Sequence, residues 1–248
     1  MRKTLSKALS FLLSAAILAG GGIGSFGSLP VEAAAESTTV NVYDATTFGE
    51  MLGTENVDIV LWQDINFTDS ELVACNSIDF NGYDLTCSNT LTFKSGKRTI
   101  RILDNQYNEN EQTSTGSATF QNGIAISDGT LRIESGNISI SRTAANSEKH
   151  GIDGTGNVEF IGGKITISGS NGTVGIRGKT GSSGVNNGGL ASGKNGGTGG
   201  TGSSPHGGDG IHVNNVTIKG GQITATGGNG GTGGTGGTGG RGANGRNW

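Results

Sequence analysis

Hydroxyl side chains recur at alternate positions in three segments of the sequence. Ser139 and Ser141, Thr166 and Ser168, and Thr224 and Thr226 each flank an isoleucine or an alanine. A strand sends successive side chains to opposite faces, so each pair stands on the outward side, and stacked strands repeat the row about every 4.8 Å. Such a ladder can hydrogen-bond a polysaccharide chain cumulatively; the same residues also suit any strand that faces water. Other chemistry is sparser. His150 precedes Gly151 and reads as a loop histidine, while His206 and His212 flank a glycine loop and, without cysteine partners or regular ligand spacing, do not predict zinc. No GxSxG elbow accompanies the many serines. Asp153 and Asp209 each lie beside a Gly-Ile pair. Cys75 and Cys87 are the two cysteines, read either as a disulfide or as two small buried side chains in adjacent coils.

The hydroxyls belong to a repeating module. LRIESGNISIS from Leu131, VEFIGGKITIS from Val158 and VTIKGGQITAT from Val216 share one register. Apolar Leu131, Val158 and Val216 are followed by Ile133, Phe160 and Ile218, then by Gly136, Gly163 and Gly221, then by Ile138, Ile165 and Ile223. Alternation on both sides of a glycine predicts a strand, a sharp corner and a second strand. Weaker copies begin at Leu91 (Phe93, Gly96) and Ala118 (Phe120, Gly123). Leu131 and Val158 are 27 residues apart and Val158 and Val216 are 58 apart, the second interval enclosing a glycine-rich tract. Ile124, Ile152, Ile176 and Ile211, each after a glycine, supply a third short strand. Three short strands per coil predict an all-β, right-handed, single-stranded parallel β-helix, a solenoid with an N-terminal cap and Gly-rich loops.

The boundaries follow. Residues 1–35 carry Arg2, Lys3 and Lys7, an apolar run from Ala8 to Gly20, and Ala33–Ala35 as a cleavage site, the pattern of an export signal. Residues 36–90 read as the cap and first coils, with a helix over Ala45–Leu52 and Asp44 as its N-cap. Coils follow over 91–178, a Gly-rich insertion over 179–208, a further coil over 209–226 and a Gly-rich tract over 227–248. Both tracts read as flexible loops or, from their G-G-x period, as three-residue-per-turn helices packed side by side. The sequence stops at Trp248 after the second tract, so either the last coil is open or the chain is the front of a longer surface protein. With residues 1–35 removed, 14 basic and 19 acidic side chains remain, which argues against nucleic acid as a partner. No transmembrane segment is expected in the mature chain. With 49 glycines in 248 residues and 5% aromatics, only a fold that needs little core per residue is feasible, and stacked repeats are one.

From Val40 to Thr226 these residues resemble the right-handed β-helix superfamily of pectate lyases, polygalacturonases and bacterial surface adhesins. GIRGK at Gly175–Lys179 and GDGIHVNNVTIKGGQITATGG from Gly208 look like repeats of clostridial-type extracellular β-helix proteins described as carbohydrate-binding. The resemblance implies Ca2+ held by Asp153 and Asp209, with Arg177 as a basic catalytic residue, in the manner of the lyases. The same three residues also read as solvated loop charges. The glycosidase pattern of paired aspartates with Gly-His-Gly is absent. The leading expectation is a secreted or cell-surface protein that binds polysaccharide or a host or cell surface without catalysis; the alternatives are a pectate-lyase-like enzyme and a purely structural coat fragment.

Overall fold

Buried aliphatic residues at every second position need a partner strand on each side, and here each strand finds it in the preceding and following repeat. The computed structural model describes residues 36–142, 149–181 and 206–240. The elements are β1 (Thr38–Val42), α1 (Ala45–Leu52), β2 (Val57–Leu61), β3 (Ile65–Phe67), β4 (Leu72–Val73), β5 (Ser77–Asp79), β6 (Leu85–Cys87), β7 (Leu91–Leu103), β8 (Ala118–Phe120) and β9 (Ile124–Ile133). They continue with β10 (Asn137–Ser141), β11 (Ile152–Gly154), β12 (Asn157–Phe160), β13 (Lys164–Ser168), β14 (Ile211–His212), β15 (Asn215–Ile218) and β16 (Gln222–Thr226). The chain alternates between two sheets, and every pairing between these strands is parallel. The ten-stranded sheet runs β1-β2-β5-β7-β9-β11-β14 with β4, β12 and β15 beside that path; the six-stranded sheet runs β16-β13-β10-β8-β6-β3.

Register stacks like on like. Val40, Ile59, Ile78, Ile102, Ile133, Phe160 and Ile218 pair in one column of the larger sheet. Ile65, Leu85, Ala118, Ile138, Ile165 and Ile223 form a column of the smaller sheet, beside Phe67, Cys87, Phe120, Ile140, Ile167 and Ala225. Most of these side chains are fully buried, and each large one contributes about 1.5–3 kcal/mol of hydrophobic stabilisation. Burial ends with the last repeat described: Val216 and Ile218 are exposed.

Val158 pairs with both Leu131 and Val216, so the shared register of the three modules is the register of the sheet. Gly136, Gly163 and Gly221 have φ of 108°, 89° and 87°, the left-handed region that favours glycine. Ile124, Ile152 and Ile211 also stack. Three alignments differ from expectation. Leu91 pairs with Ile124 and Ala118 with Ile138, so neither weak copy lies in the Leu131 column. Alternation looks the same in every column, and glycine five residues on does not identify which corner it makes. Ile176 belongs to no strand and is exposed.

The reason for the third lies in the glycine spacing. Gly172, Gly175, Gly178 and Gly181 donate their N–H groups to the carbonyls of Asn229, Thr232, Thr235 and Thr238 at 2.7–2.8 Å. A parallel ladder with one bond every third residue has the three-residue period of polyproline-II-type helices lying side by side. The described part of the second tract is packed in this way against residues 172–181, so Gly175–Lys179 belongs to that ladder rather than to a strand-bearing repeat. Residues 182–205 lie outside the described residues, as does the export-signal segment 1–35.

At the other end Asp44 caps α1, its carboxylate accepting from the Thr47 N–H at 2.8 Å. Those bonds hold its pKa below the usual carboxylate value. Phe48 and Leu52 on the buried face of α1 pack against the first strands, with Phe48 edge-on to Phe67 at 5.4 Å between centroids. No helix among the described residues is long and apolar enough to cross a membrane.

Candidate functional site

The outward row of the smaller sheet is longer than the three hydroxyl-bearing modules. Asn66, Thr86, Thr119, Ser139, Thr166 and Thr224 pair successively across all six strands. Ser139, Thr166 and Thr224 are exposed, because Ile138, Ile140, Ile165 and Ile167 take the inward positions. Ser141, Ser168 and Thr226 pair in a second, shorter row. Asn66, Thr86 and Thr119 escaped the sequence reading since their strands are only three residues long and carry one outward residue each, too little for a periodic signal.

A groove of about 470 Å³ lies over the middle of the row, lined on its floor by Thr119, Ser139 and Thr166 and on its side by Gln112, Thr113 and Ser114. The Asn137 side-chain oxygen, on this wall, is buried with no hydrogen-bond partner among the described residues. The overhanging segment is fixed from below. Asp104 accepts the N–H groups of Gly82 and Gln106 at 2.9 Å and the Ser114 hydroxyl. Asp79 accepts from the N–H groups of Asn81 and Asn105 at 2.9 and 3.1 Å. Burial, only partly offset by those bonds, pushes the Asp79 carboxyl above the usual carboxylate value.

The outward face of the larger sheet is different in kind. Arg101 grips Glu134 through two bonds of 2.8 and 2.7 Å. Arg132 bonds Glu159 at 2.8 Å, and Lys219 approaches the same carboxylate at 3.5 Å. The Arg132 bond chiefly holds Glu159 below its ordinary pKa. Ion pairs thus bridge repeats on one face, while the other presents neutral hydroxyl and amide groups with Lys164 at the groove edge.

The remaining sequence candidates fall elsewhere. Asp153 follows Ile152 in β11 and is paired across the sheet with His212 in β14, its Oδ1 3.0 Å from His212 Nδ1. The Asp209 backbone N–H donates to His150 Nδ1 at 2.8 Å, with Asp209 Oδ2 3.5 Å from that nitrogen. Each aspartate is therefore engaged with a histidine of the other segment. His150-Gly-Ile-Asp153 and Asp209-Gly-Ile-His212 carry the same two residue types in opposite order, which the Gly-Ile alignment makes visible once both flanks are compared. Arg177 is exposed on the three-residue-period tract; Arg142 lies nearer the aspartate-histidine pairs, its Nε donating to the His150 carbonyl at 3.0 Å. Cys75 and Cys87 are free, buried thiols, and burial pushes both up to about 12. No protein-family model, curated protein or solved structure matches the chain.

Proposed function

We propose that this chain is an exported, right-handed parallel β-helix of the pectate-lyase-like type, and that the smaller sheet binds polysaccharide without catalysis. The observation that carries the reading is the single-register row from Asn66 to Thr224, whose middle residues Thr119, Ser139 and Thr166 line the groove. Each hydroxyl donates and accepts, so an extended glycan laid across the strands meets a matching group at each step of about 4.8 Å. Rigid strands already hold the groups in place, so few side chains need ordering on binding. The alternation of outward hydroxyls and inward isoleucines supports the β-helix assignment, and the run of Arg2, Lys3 and Lys7 before an apolar segment supports export.

The test is retention of the purified chain on insoluble polysaccharides such as cellulose, chitin and cross-linked pectin. Removing three hydroxyls in the triple variant S139A/T166A/T224A forfeits roughly 0.5–1.5 kcal/mol per hydrogen bond, so affinity should fall at least tenfold. Retention on none of the polymers, or equal retention of the triple variant, would overturn the reading. Unsaturated product from polygalacturonate with Ca2+ would instead select the lyase alternative.

A further inference from the structure

The geometry points to a transition-metal site of the Zn2+ class formed by His150, Asp153 and His212, independent of the polysaccharide face. One ligand atom from each of the three lies within 4.8 Å of the others. The two imidazoles stack at 4.3 Å between centroids, 30° from parallel, and Asp153 Oδ1 lies 3.0 Å from His212 Nδ1. The site is built by the fold: Gly151 and Ile152 are buried, Ile152 pairs with Ile211, and that register sets the flanking residues of the two segments side by side.

The donor set selects the ion. Two imidazoles and one carboxylate suit a borderline ion such as Zn2+, with a coordination position left for water or a ligand. Ca2+ takes six to eight oxygens, and the imidazole-dominated cluster does not offer them, so the Ca2+ implied by the lyase resemblance does not fit here. Ligand bonds of about 2.1 Å place tetrahedral donors roughly 3.4 Å apart. Asp153 and His212 are already near that separation and partly exposed, free to adjust around the more buried His150. The N–H of Asp209 on His150 Nδ1 puts the neutral ring's proton on Nε2. With metal at Nε2 the neutral ring's proton would sit on Nδ1. The Asp209 N–H would then give up its bond to that nitrogen, and Asp209 Oδ2, 3.5 Å from Nδ1, would take its place as the partner and accept the Nδ1–H, a carboxylate–histidine–metal arrangement.

Isothermal titration of the chelator-treated, dialysed full chain with ZnCl2 tests this directly. One Zn2+ per chain is expected, with CaCl2 giving no comparable heat. H212A should weaken binding at least 100-fold, and D209N about tenfold as an outer partner. H206A, which alters an exposed histidine outside the cluster, should bind like the wild type. Should H150A fail to fold, H212A with an unchanged circular dichroism spectrum decides the question. Absence of Zn2+ binding by the wild type, or binding indifferent to H212A, would overturn the site.

Discussion

Asp79 shows how one carboxyl can work against its own burial. It is almost wholly buried, and desolvation raises its pKa above the ordinary 3.8 despite the two N–H donors. A carboxyl with a raised folded-state pKa favours the folded chain when protonated. That contribution is complete below the unfolded value and is lost as pH rises through the folded one. Urea denaturation at pH 4 and pH 7 should therefore show Asp79→Asn gaining stability relative to the wild type as pH rises; a constant difference would mean Asp79 titrates normally. Glu159 has the opposite sign: its depressed pKa gives stability present above the unfolded value and lost as pH falls through the folded one. The cysteines offer a second residue-scale outcome. With thiols pushed up to about 12, thiolate is negligible at pH 8. Ellman's reagent should find no reactive thiol in the folded chain and two after unfolding in denaturant. Immediate reaction of either cysteine in the native protein would contradict the burial described.

Strands and tracts respond to substitution according to which face is occupied. Phe120 is buried between Cys87 and Ile140 of the neighbouring repeats, so Phe120→Ala should cost about 3–5 kcal/mol in urea denaturation. The second glycine tract discriminates more finely. A Cβ on Gly237 would lie 1.9 Å from the Lys179 carbonyl oxygen, whereas one on Gly236 meets nothing within 4 Å. Gly237→Ala should expose the tract to limited proteolysis while Gly236→Ala leaves its digestion pattern unchanged; equal cleavage would show that the two helices are not packed. The same contrast explains what the sequence could convey. Leu131, Val158 and Val216 were legible because two aliphatic alternations and a positive-φ glycine coincide three times. Leu91 and Ala118 were misaligned because an inward residue pattern is common to every column. Gly172, Gly175 and Gly178 were obscured by Thr173, Val174, Ile176 and Arg177 between them, which imitate a strand with a Gly-Ile start. The His150–Asp209 and Asp153–His212 pairings went unread because the partners are exchanged between segments, so no single segment carries a ligand motif.

At the scale of the molecule, the ion pairs that join neighbouring repeats lie on the larger sheet, while the smaller sheet presents a row of hydroxyl and amide groups with Lys164 beside it. The chain of ion pairs from Arg101 through Glu134 and Arg132 to Glu159 and Lys219 occupies the larger sheet. Such surface pairs contribute little stability individually, and added salt weakens them. The smaller sheet meets its proposed ligand through uncharged groups. Glycan retention should accordingly be insensitive to sodium chloride. A steep fall with salt would assign the attraction to Lys164 at the groove edge rather than to the hydroxyl row. The inward columns continue beneath both faces, so either outward row can change without disturbing the packing that supports the other.

The three-residue ladder has a further consequence, for solvent exchange. In deuterated water, the amides of Gly172, Gly175, Gly178 and Gly181 are each shielded by a carbonyl of the neighbouring helix, while Val174 and Ile176 stand open to solvent. Deuterium uptake along this stretch should therefore be slow at every third amide and rapid at Val174 and Ile176, a rhythm unlike the continuous protection of an α-helix.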